Sequence, residues 1–256
     1  MKNSKIINTK ALITQFNTIF RKRGILFLFI YIITAINDTY IKKYLRGSFS
    51  QKGEDLVIER IVGSKKRGFY IDVGANNPNI FNNTKRFYDK GWSGVNIEPN
   101  PVLIKEFQQK RVRDINLNIG IRKNPGTARF YEFEADGLST FSKEEKDNYL
   151  KLGYKLKQQL NVEVQSLKSI IGVYGKSKID FISIDTEGLD YEVLESNNWK
   201  KFRPTLVCIE TGEFSSIIKG KSSNKKYLID KFMGKNGYGQ VFTNGLNSLY
   251  KDLRVK

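Results

Sequence analysis

Phe69-Tyr70-Ile71-Asp72-Val73-Gly74-Ala75-Asn76-Asn77-Pro78 is the stretch on which the architecture turns. The apolar run from Phe69 to Val73, broken only by Asp72, has the length and β-branched content of a buried strand. Gly74 follows at once, where a backbone must turn tightly or let a ligand come close. From Asn82 to Gly91 the sequence NNTKRFYDKG reads as a short helix, with Asn82 or Asn83 as N-cap and Gly91 as its stop. A second strand, Ser93 to Glu98, is closed by Pro99-Asn100-Pro101. Strand, glycine turn, helix and a strand ending in a carboxylate make a nucleotide-binding βαβ unit.

Spacing narrows the cofactor. Glu98 lies 26 positions after Asp72, so it should end the neighbouring strand, where a carboxylate can accept both hydroxyls of a ribose. A dinucleotide site needs G-x-G-x-x-G, because pyrophosphate requires bare backbone and a helix N-terminus. Here only Gly74 is present, and Asn76, Asn77 and Pro78 fill the rest. A cofactor with ribose but no phosphate fits better, and S-adenosylmethionine is the natural one. The plain alternative is an ordinary parallel strand pair joined by polar turn residues.

Composition bounds the classes. The chain has 256 residues, 39% of them hydrophobic and 27% charged, which suits one α/β domain with an extension. The single cysteine, Cys208, excludes an internal disulfide and points to a reducing compartment. It sits in Thr205-Leu-Val-Cys-Ile-Glu210 and reads as a buried strand residue. Histidine is absent, which removes the usual general base, Ser-His and Cys-His devices and most zinc sites. The net charge of +18 is uneven: residues 1 to 66 carry 13 Lys/Arg against 4 Asp/Glu. Such a surface favours polyanions, although a lysine-rich background is the simpler source.

Residues 1–44 read as a basic and hydrophobic extension, and 45–256 as the folded domain. Gly24 to Ile36 carries no charge over 13 residues, short of the ~20 needed to span a bilayer. A packed or membrane-surface helix is the first reading, a cytoplasmic-side anchor the second and a cleaved signal the last. The expected location is cytoplasmic, with membrane contact through residues 24–36. In Ser50-Gln51-Lys52-Gly53-Glu54-Asp55, Ser50 and Asp55 suit capping and turn chemistry before a helix at Leu56 to Val62.

Further along, Pro101 to Arg111 reads as a helix, Ile115 to Ile121 as a third strand, and Ala128 to Phe133 as extended. Ala135 to Phe141 is a polar loop, Ser142 to Leu160 a charged helix or lid, Val162 to Leu167 alternates, and Leu167 to Val173 is a short helix. Ile179 to Asp185 is the second strong strand, followed by Thr186-Glu187-Gly188 and a helix at Leu189 to Leu194. Pro204 to Glu210 is another buried strand. Tyr238 to Thr243 and Leu246 to Lys251 flank Asn244-Gly245, a hairpin turn pair.

This alternation predicts an α/β fold: a seven-stranded, mostly parallel sheet with an antiparallel C-terminal hairpin, the Rossmann-like architecture of class I methyltransferases. Ligands bind such sheets beyond the carboxyl ends of the strands. Asp72, Glu98, Asp185, Glu187 and Glu210 all fall at or near those ends. Five carboxylates in one crevice of a basic protein mark a site.

The pieces SQKGED (Ser50 to Asp55), FYIDVGAN (Phe69 to Asn76), GWSGVNIEPNP (Gly91 to Pro101), GLSTF (Gly137 to Phe141), IDFISIDTEGLDYEVL (Ile179 to Leu194) and PTLVCIET (Pro204 to Thr211) resemble, in order, the FkbM-type family of S-adenosylmethionine-dependent methyltransferases. The resemblance implies that Asp72 and Gly74 hold the methionine end of the cofactor and Glu98 the ribose. The expected cofactor set is Asp72, Gly74, Ala75, Asn76, Glu98, Pro99, Asn118 and Asp185. Asn76-Asn77-Pro78 departs from the family, which often has glycine soon after the first Asn, and implies a stiffer turn.

Methyl transfer to a hydroxyl needs a base as the oxygen attacks. Without histidine the candidates are Asp185 and Glu187, with Glu210 as orienter or substrate ligand. Helix N-terminal charge is the competing role for Glu187. Alternatively the three could hold Mg²⁺ through oxygen ligands, but the base role is the first reading and no metal site is expected. Gln51, Ser139 and Thr140 are weaker candidates for substrate contact. The resemblance implies small-molecule, sugar, glycan or glycolipid acceptors. A nucleic-acid methyltransferase is favoured only by the charge, and no Asn-Pro-Pro-aromatic motif is present. A non-catalytic binding protein on the same fold is the other alternative, opposed by the intact Asp72, Gly74 and Glu98.

Overall fold

In the computed structural model the residues described are 47–63, 65–135, 137–212 and 224–255. The hydrophobic stretch 24–36 and the rest of the N-terminal extension lie outside them. Among the described residues no helix is long and apolar enough to cross a membrane.

Strand β1 (Phe69–Val73) is buried along its whole length, as a continuous apolar run requires when helices cover both faces of a parallel sheet. It pairs in parallel with β2 (Ser93–Ile97) on one side and β7 (Phe181–Ile184) on the other. The full sheet has the order β3-β2-β1-β7-β8-β10-β9, with β3 (Ile115–Leu117), β8 (Leu206–Glu210), β9 (Tyr238–Thr243) and β10 (Asn247–Asp252). Only β10 runs antiparallel to its neighbours β8 and β9. The chain reverses its winding at β1 and β7, and this is where an open sheet leaves its crevice. Asp180, just before β7, binds the start of β1: its Oδ2 accepts the Phe69 amide at 2.9 Å and its Oδ1 takes Lys65 Nζ at 2.6 Å.

Two apolar layers sandwich the sheet. One joins Ile71, Val73, Ile182, Ile184, Leu194 and Ile209 to helices α5 (Leu167–Tyr174), α6 (Asp190–Glu195) and α7 (Lys225–Lys235). The other joins Tyr70, Trp92, Phe181 and Cys208 to α1 (Glu54–Val62) and α2 (Lys85–Asp89). Cys208 is buried, as its strand context predicts. Helix α3 (Pro101–Lys110) starts as its sequence dictates, with Asn100 accepting the Val102 and Leu103 amides and proline in the first turn.

Several boundaries differ from the sequence reading. The helix expected from Asn82 begins at Lys85, but Asn82 Oδ1 still accepts the Thr84 and Lys85 amides at 3.0 and 2.7 Å, so it performs the capping. Ile115 to Ile121 is not one strand: β3 ends at Leu117, and Gly120–Ile121 (β4) joins β5 (Gly126–Phe133) and β6 (Leu156–Gln165) in a second sheet of order β4-β6-β5. The charged segment from Ser142 is helical only over α4 (Lys143–Lys151), stopped by Gly153 at φ 90°. Leu156–Gln165 is strand β6, paired antiparallel with β5 (Gly126–Phe133). Its Lys157, Gln158 and Gln159 face solvent, which disguised a strand as a polar helix. The hairpin loop is longer than Asn244-Gly245, since Thr243 pairs with Ser248. Helix α7 was not foreseen at all. Its buried stripe is Lys225, Ile229 and Met233, and a lysine leading that stripe broke the apolar pattern.

Candidate active site

Asp72 is turned away from solvent toward the segment that precedes α2, 4% exposed, and its Oδ2 accepts Thr84 Oγ1 at 2.9 Å and Asn82 Nδ2 at 3.3 Å. Burial raises its carboxyl to about 6 in spite of those donors. Gly74 has φ 76°, and a Cβ there would lie 1.8 Å from the Asp185 carbonyl oxygen. Only glycine lets the loops after β1 and β7 close on each other. Asn76, two positions on, has φ 51°, a conformation asparagine tolerates better than most residues. Asn77 Oδ1 accepts the Asn79 and Ile80 amides, and buried Arg111 donates to the Pro78 carbonyl through Nε and Nη2 at 3.2 and 2.8 Å. The turn is therefore held at several points.

Glu98, 5% exposed, reaches back over this turn. Its Oε2 accepts the Asn76 amide at 2.7 Å and its Oε1 the Asn100 amide at 2.8 Å. Burial pushes its carboxyl up to about 7, against the effect of those two amides. Each oxygen keeps lone-pair capacity for a hydroxyl. Asn118 sits where β3 gives way to β4 and donates to the Glu98 and Pro99 carbonyls, both at 2.9 Å. Ala75 packs with Ile104 and Phe107 below. The structure thus gathers Gly74, Ala75, Asn76, Glu98, Pro99 and Asn118 around one loop crossing, with Asp72 beneath it.

Asp185, Glu187 and Glu210 also converge: one carboxylate oxygen from each lies within 4.8 Å of the others. Glu187 has φ 51°, so the turn after β7 is built to carry an outlier at this position. Tyr149 on α4 donates to Glu187 Oε2 at 2.7 Å, and Thr140 Oγ1 donates to the Glu187 carbonyl at 2.7 Å. Burial, then repulsion from Asp190, raises the Asp185 carboxyl to about 7. Burial followed by the Asp185 charge raises Glu187 well above the usual range. Glu210 is raised too, by burial, although Lys225 opposes the shift.

Sequence reasoning missed Lys225, Asp190, Tyr149 and Glu132. Lys225 Nζ lies 2.6 Å from Glu210 Oε2 and 2.8 Å from Asp190 Oδ2. Asp190 Oδ1 accepts the Thr186 amide at 2.8 Å and its hydroxyl at 3.1 Å. Buried Glu132 accepts Lys157 and Gln158, each at 2.6 Å, and its charge helps to raise Glu98. A lysine at i and apolar residues at i+4 and i+8 was the one available signal.

The weaker substrate candidates divide. Thr140, 1% exposed, is committed to Glu187 and to the Ser142 amide. Ser139 Oγ accepts the Phe133 amide at 3.2 Å. Gln51 is exposed, on the turn before α1. In the same segment Ser50 and Asp55 are hydrogen-bonded as capping chemistry suggests. Glu54 is fully buried, and its Oε1 accepts Asn244 Nδ2 at 2.7 Å and Asn247 Nδ2 at 2.9 Å, tying α1 to the hairpin.

The donor set fits S-adenosylmethionine. A carboxylate at the end of β2 with capacity for ribose hydroxyls, a loop crossing without phosphate-binding glycines, and an acidic crevice suited to a sulfonium all agree with it. Asp185, Glu187 and Glu210 offer oxygen ligands of the kind Mg²⁺ takes, but an ammonium already lies against Glu210.

Residues 72–239 match the model of the methyltransferase FkbM domain. None of the curated proteins compared with the chain matches it. Among solved structures, the chain is similar to a TehB-like SAM-dependent methyltransferase from Corynebacterium glutamicum, at 8% identity and TM-score 0.43 over 83% of this chain and 94% of that one. It is also similar to a 1,6-didemethyltoxoflavin-N1-methyltransferase from Burkholderia thailandensis, at 8% identity and TM-score 0.40 over 98% of this chain and 91% of that one. Likeness at this level says nothing of substrate.

Proposed function

The chain belongs to the FkbM methyltransferase family, an S-adenosylmethionine-dependent group, and from that premise we propose that it methylates a hydroxyl oxygen of a sugar, glycan or glycolipid. The observation that carries the reading is the convergence of Asp185, Glu187 and Glu210 within 4.8 Å in a chain without histidine. A hydroxyl acceptor must lose its proton as it attacks, and a base works best with a pKa near the working pH. Asp185, raised to about 7, meets that condition.

The roles follow from position. The cofactor supplies an electrophilic methyl group on a sulfonium. Glu98 and the Asn76 loop bind its ribose side, and Gly74 brings the Asp185 loop against that of β1. Asp185 or Glu187 takes the hydroxyl proton, with Tyr149 fixing the Glu187 carboxylate. Glu210 orients the acceptor. The neutral polar turn at Ser139 and the exposed Gln51 offer contacts of the kind a glycan uses.

The test is transfer from methyl-labelled S-adenosylmethionine to a panel of free glycans, nucleotide sugars and glycolipids. Label in an ether that survives mild alkali supports the reading. Label in a base-labile ester, in an amine or in nucleic acid overturns it. The net charge of +18 makes nucleic acid the necessary control, and binding there should fall steeply with salt.

A further inference from the structure

Lys225 opens α7 on the face that packs inward with Ile229 and Met233. Its ammonium touches Glu210 Oε2 at 2.6 Å, Asp190 Oδ2 at 2.8 Å and the Gly212 carbonyl at 3.3 Å. Glu210 and the Gly212 carbonyl accept hydrogen bonds from it, and Asp190 faces it as an ion-pair partner. The side chain is 6% exposed, Asp190 0% and Glu210 7%. Through Asp190 the same ammonium reaches the Thr186 turn, whose amide and hydroxyl both bind that carboxylate. Lys225 therefore ties the two strand ends that carry the acid cluster, β7 and β8.

Asp185, Glu187 and Glu210 converge, the first two half-buried and the third buried beside buried Asp190, and like charges this crowded cannot all stay ionised at low cost without a cation among them. A divalent ion held by oxygen ligands is one way to supply the charge. Here an ammonium already sits at hydrogen-bond distance from one member, and its charge opposes the upward shifts of Asp185, Glu187 and Glu210 alike. We propose that Lys225 is the built-in counter-ion of the acid cluster, a positioning residue that takes the place of a divalent cation and keeps Glu210 and the Thr186 turn in register. The functional half of this statement rests on the acid cluster being the reacting end of the crevice, as proposed above.

Mn²⁺ titration of the full chain, followed by the paramagnetic signal of the free ion, tests it. Wild type and Lys225→Arg should bind Mn²⁺ weakly. Lys225→Met and Lys225→Gln, which remove the charge and keep the bulk, should bind it about tenfold more tightly or better. That gain should vanish when Glu210→Gln is added, an outcome a merely structural lysine would not produce. A tight, Glu210-dependent Mn²⁺ site in the wild type overturns the proposal, and so does a folded neutral variant that gains no affinity. Binding of S-adenosylhomocysteine to the wild type, measured in parallel, tests the cofactor reading separately: its absence would sink the methyltransferase reading while the Mn²⁺ result still decides the role of Lys225.

Discussion

The Glu98 carboxylate accepts the backbone amide of Asn76 at 2.7 Å, so one side chain at the end of β2 clamps the turn that leaves β1. Because its other oxygen holds the Asn100 amide, Glu98 is both a structural clasp and the proposed ribose ligand. Glu98→Ala leaves two amides without acceptors and should destabilise the domain by about 1–3 kcal/mol. S-adenosylhomocysteine at 100-fold over Kd should stabilise the wild type by about 2.7 kcal/mol. Thermal unfolding with and without the ligand should show that gain in the wild type and lose it in Glu98→Ala. A ligand shift that survives in the variant would remove Glu98 from the cofactor site.

Gly74→Ala tests the crossing of the β1 and β7 loops. The new Cβ would meet the Asp185 carbonyl at 1.8 Å, at φ 76°. Neither backbone can yield cheaply, so a loss of more than about 2 kcal/mol in denaturant unfolding is expected. Gly126, whose added Cβ would meet nothing within 4 Å, serves as the control for backbone strain alone.

Arg111, 1% exposed, donates to the Pro78 carbonyl, to Asn82 Oδ1 at 2.9 Å and to Tyr70 Oη at 3.3 Å. Arg111→Leu keeps bulk but strands those acceptors and leaves buried Asp114 without its cation. A loss of about 3 kcal/mol is expected, together with a smaller S-adenosylhomocysteine shift, because Asn82 carries the position of Asp72. Chemical unfolding and ligand titration would check both halves.

Stability and activity should respond oppositely to pH. Asp72 at about 6, and Glu98 and Asp185 at about 7, all titrate above their ordinary values of 3.8 and 4.5. The folded protein then binds more protons than the unfolded chain between about pH 4 and 7, so stability falls as pH rises through that window. Asp252, held low by Arg203 against its own burial, acts in the other direction below that window. Melting at about pH 5 should therefore occur at a higher temperature than at about pH 8. Methyl transfer by a carboxylate base should increase over the same window. A stability that rises from about pH 5 to 8 would mean these carboxyls do not titrate above their ordinary values in the folded protein.

How much of this was legible depends on the kind of signal. Phe69 to Val73 and Ile179 to Asp185 announce themselves because a strand covered on both faces must be continuously apolar. Glu98 could be placed by counting from Asp72. The convergence of Asp185, Glu187 and Glu210 followed from topology, since each sits just past a strand end. Lys225 could not be placed that way. It lies on a helix, its charge hides the apolar stripe it belongs to, and its partners Asp190 and Glu210 are 35 and 15 residues away. Tyr149 and Glu132 belong to the second sheet and its helix, where polar residues such as Gln158 masked the strand. The capping role of Asn82 was legible, while the helix boundary was not, because the cap acts through side-chain bonds that precede the helical turns.

The tie between Asp180 and the Phe69 amide spans 111 positions of sequence, with β2, β3 and the second sheet lying between β1 and β7 along the chain. Pairing of such distant partners is slow, because the loop entropy is lost before any contact is gained. The crevice lies at this same junction, so a chain in which β1 and β7 have not yet paired lacks the proposed cofactor site. Ligand bound at the proposed site is therefore expected to trap only molecules that have already closed the centre of the sheet. Refolding rates should be indifferent to S-adenosylhomocysteine, while unfolding rates fall in its presence.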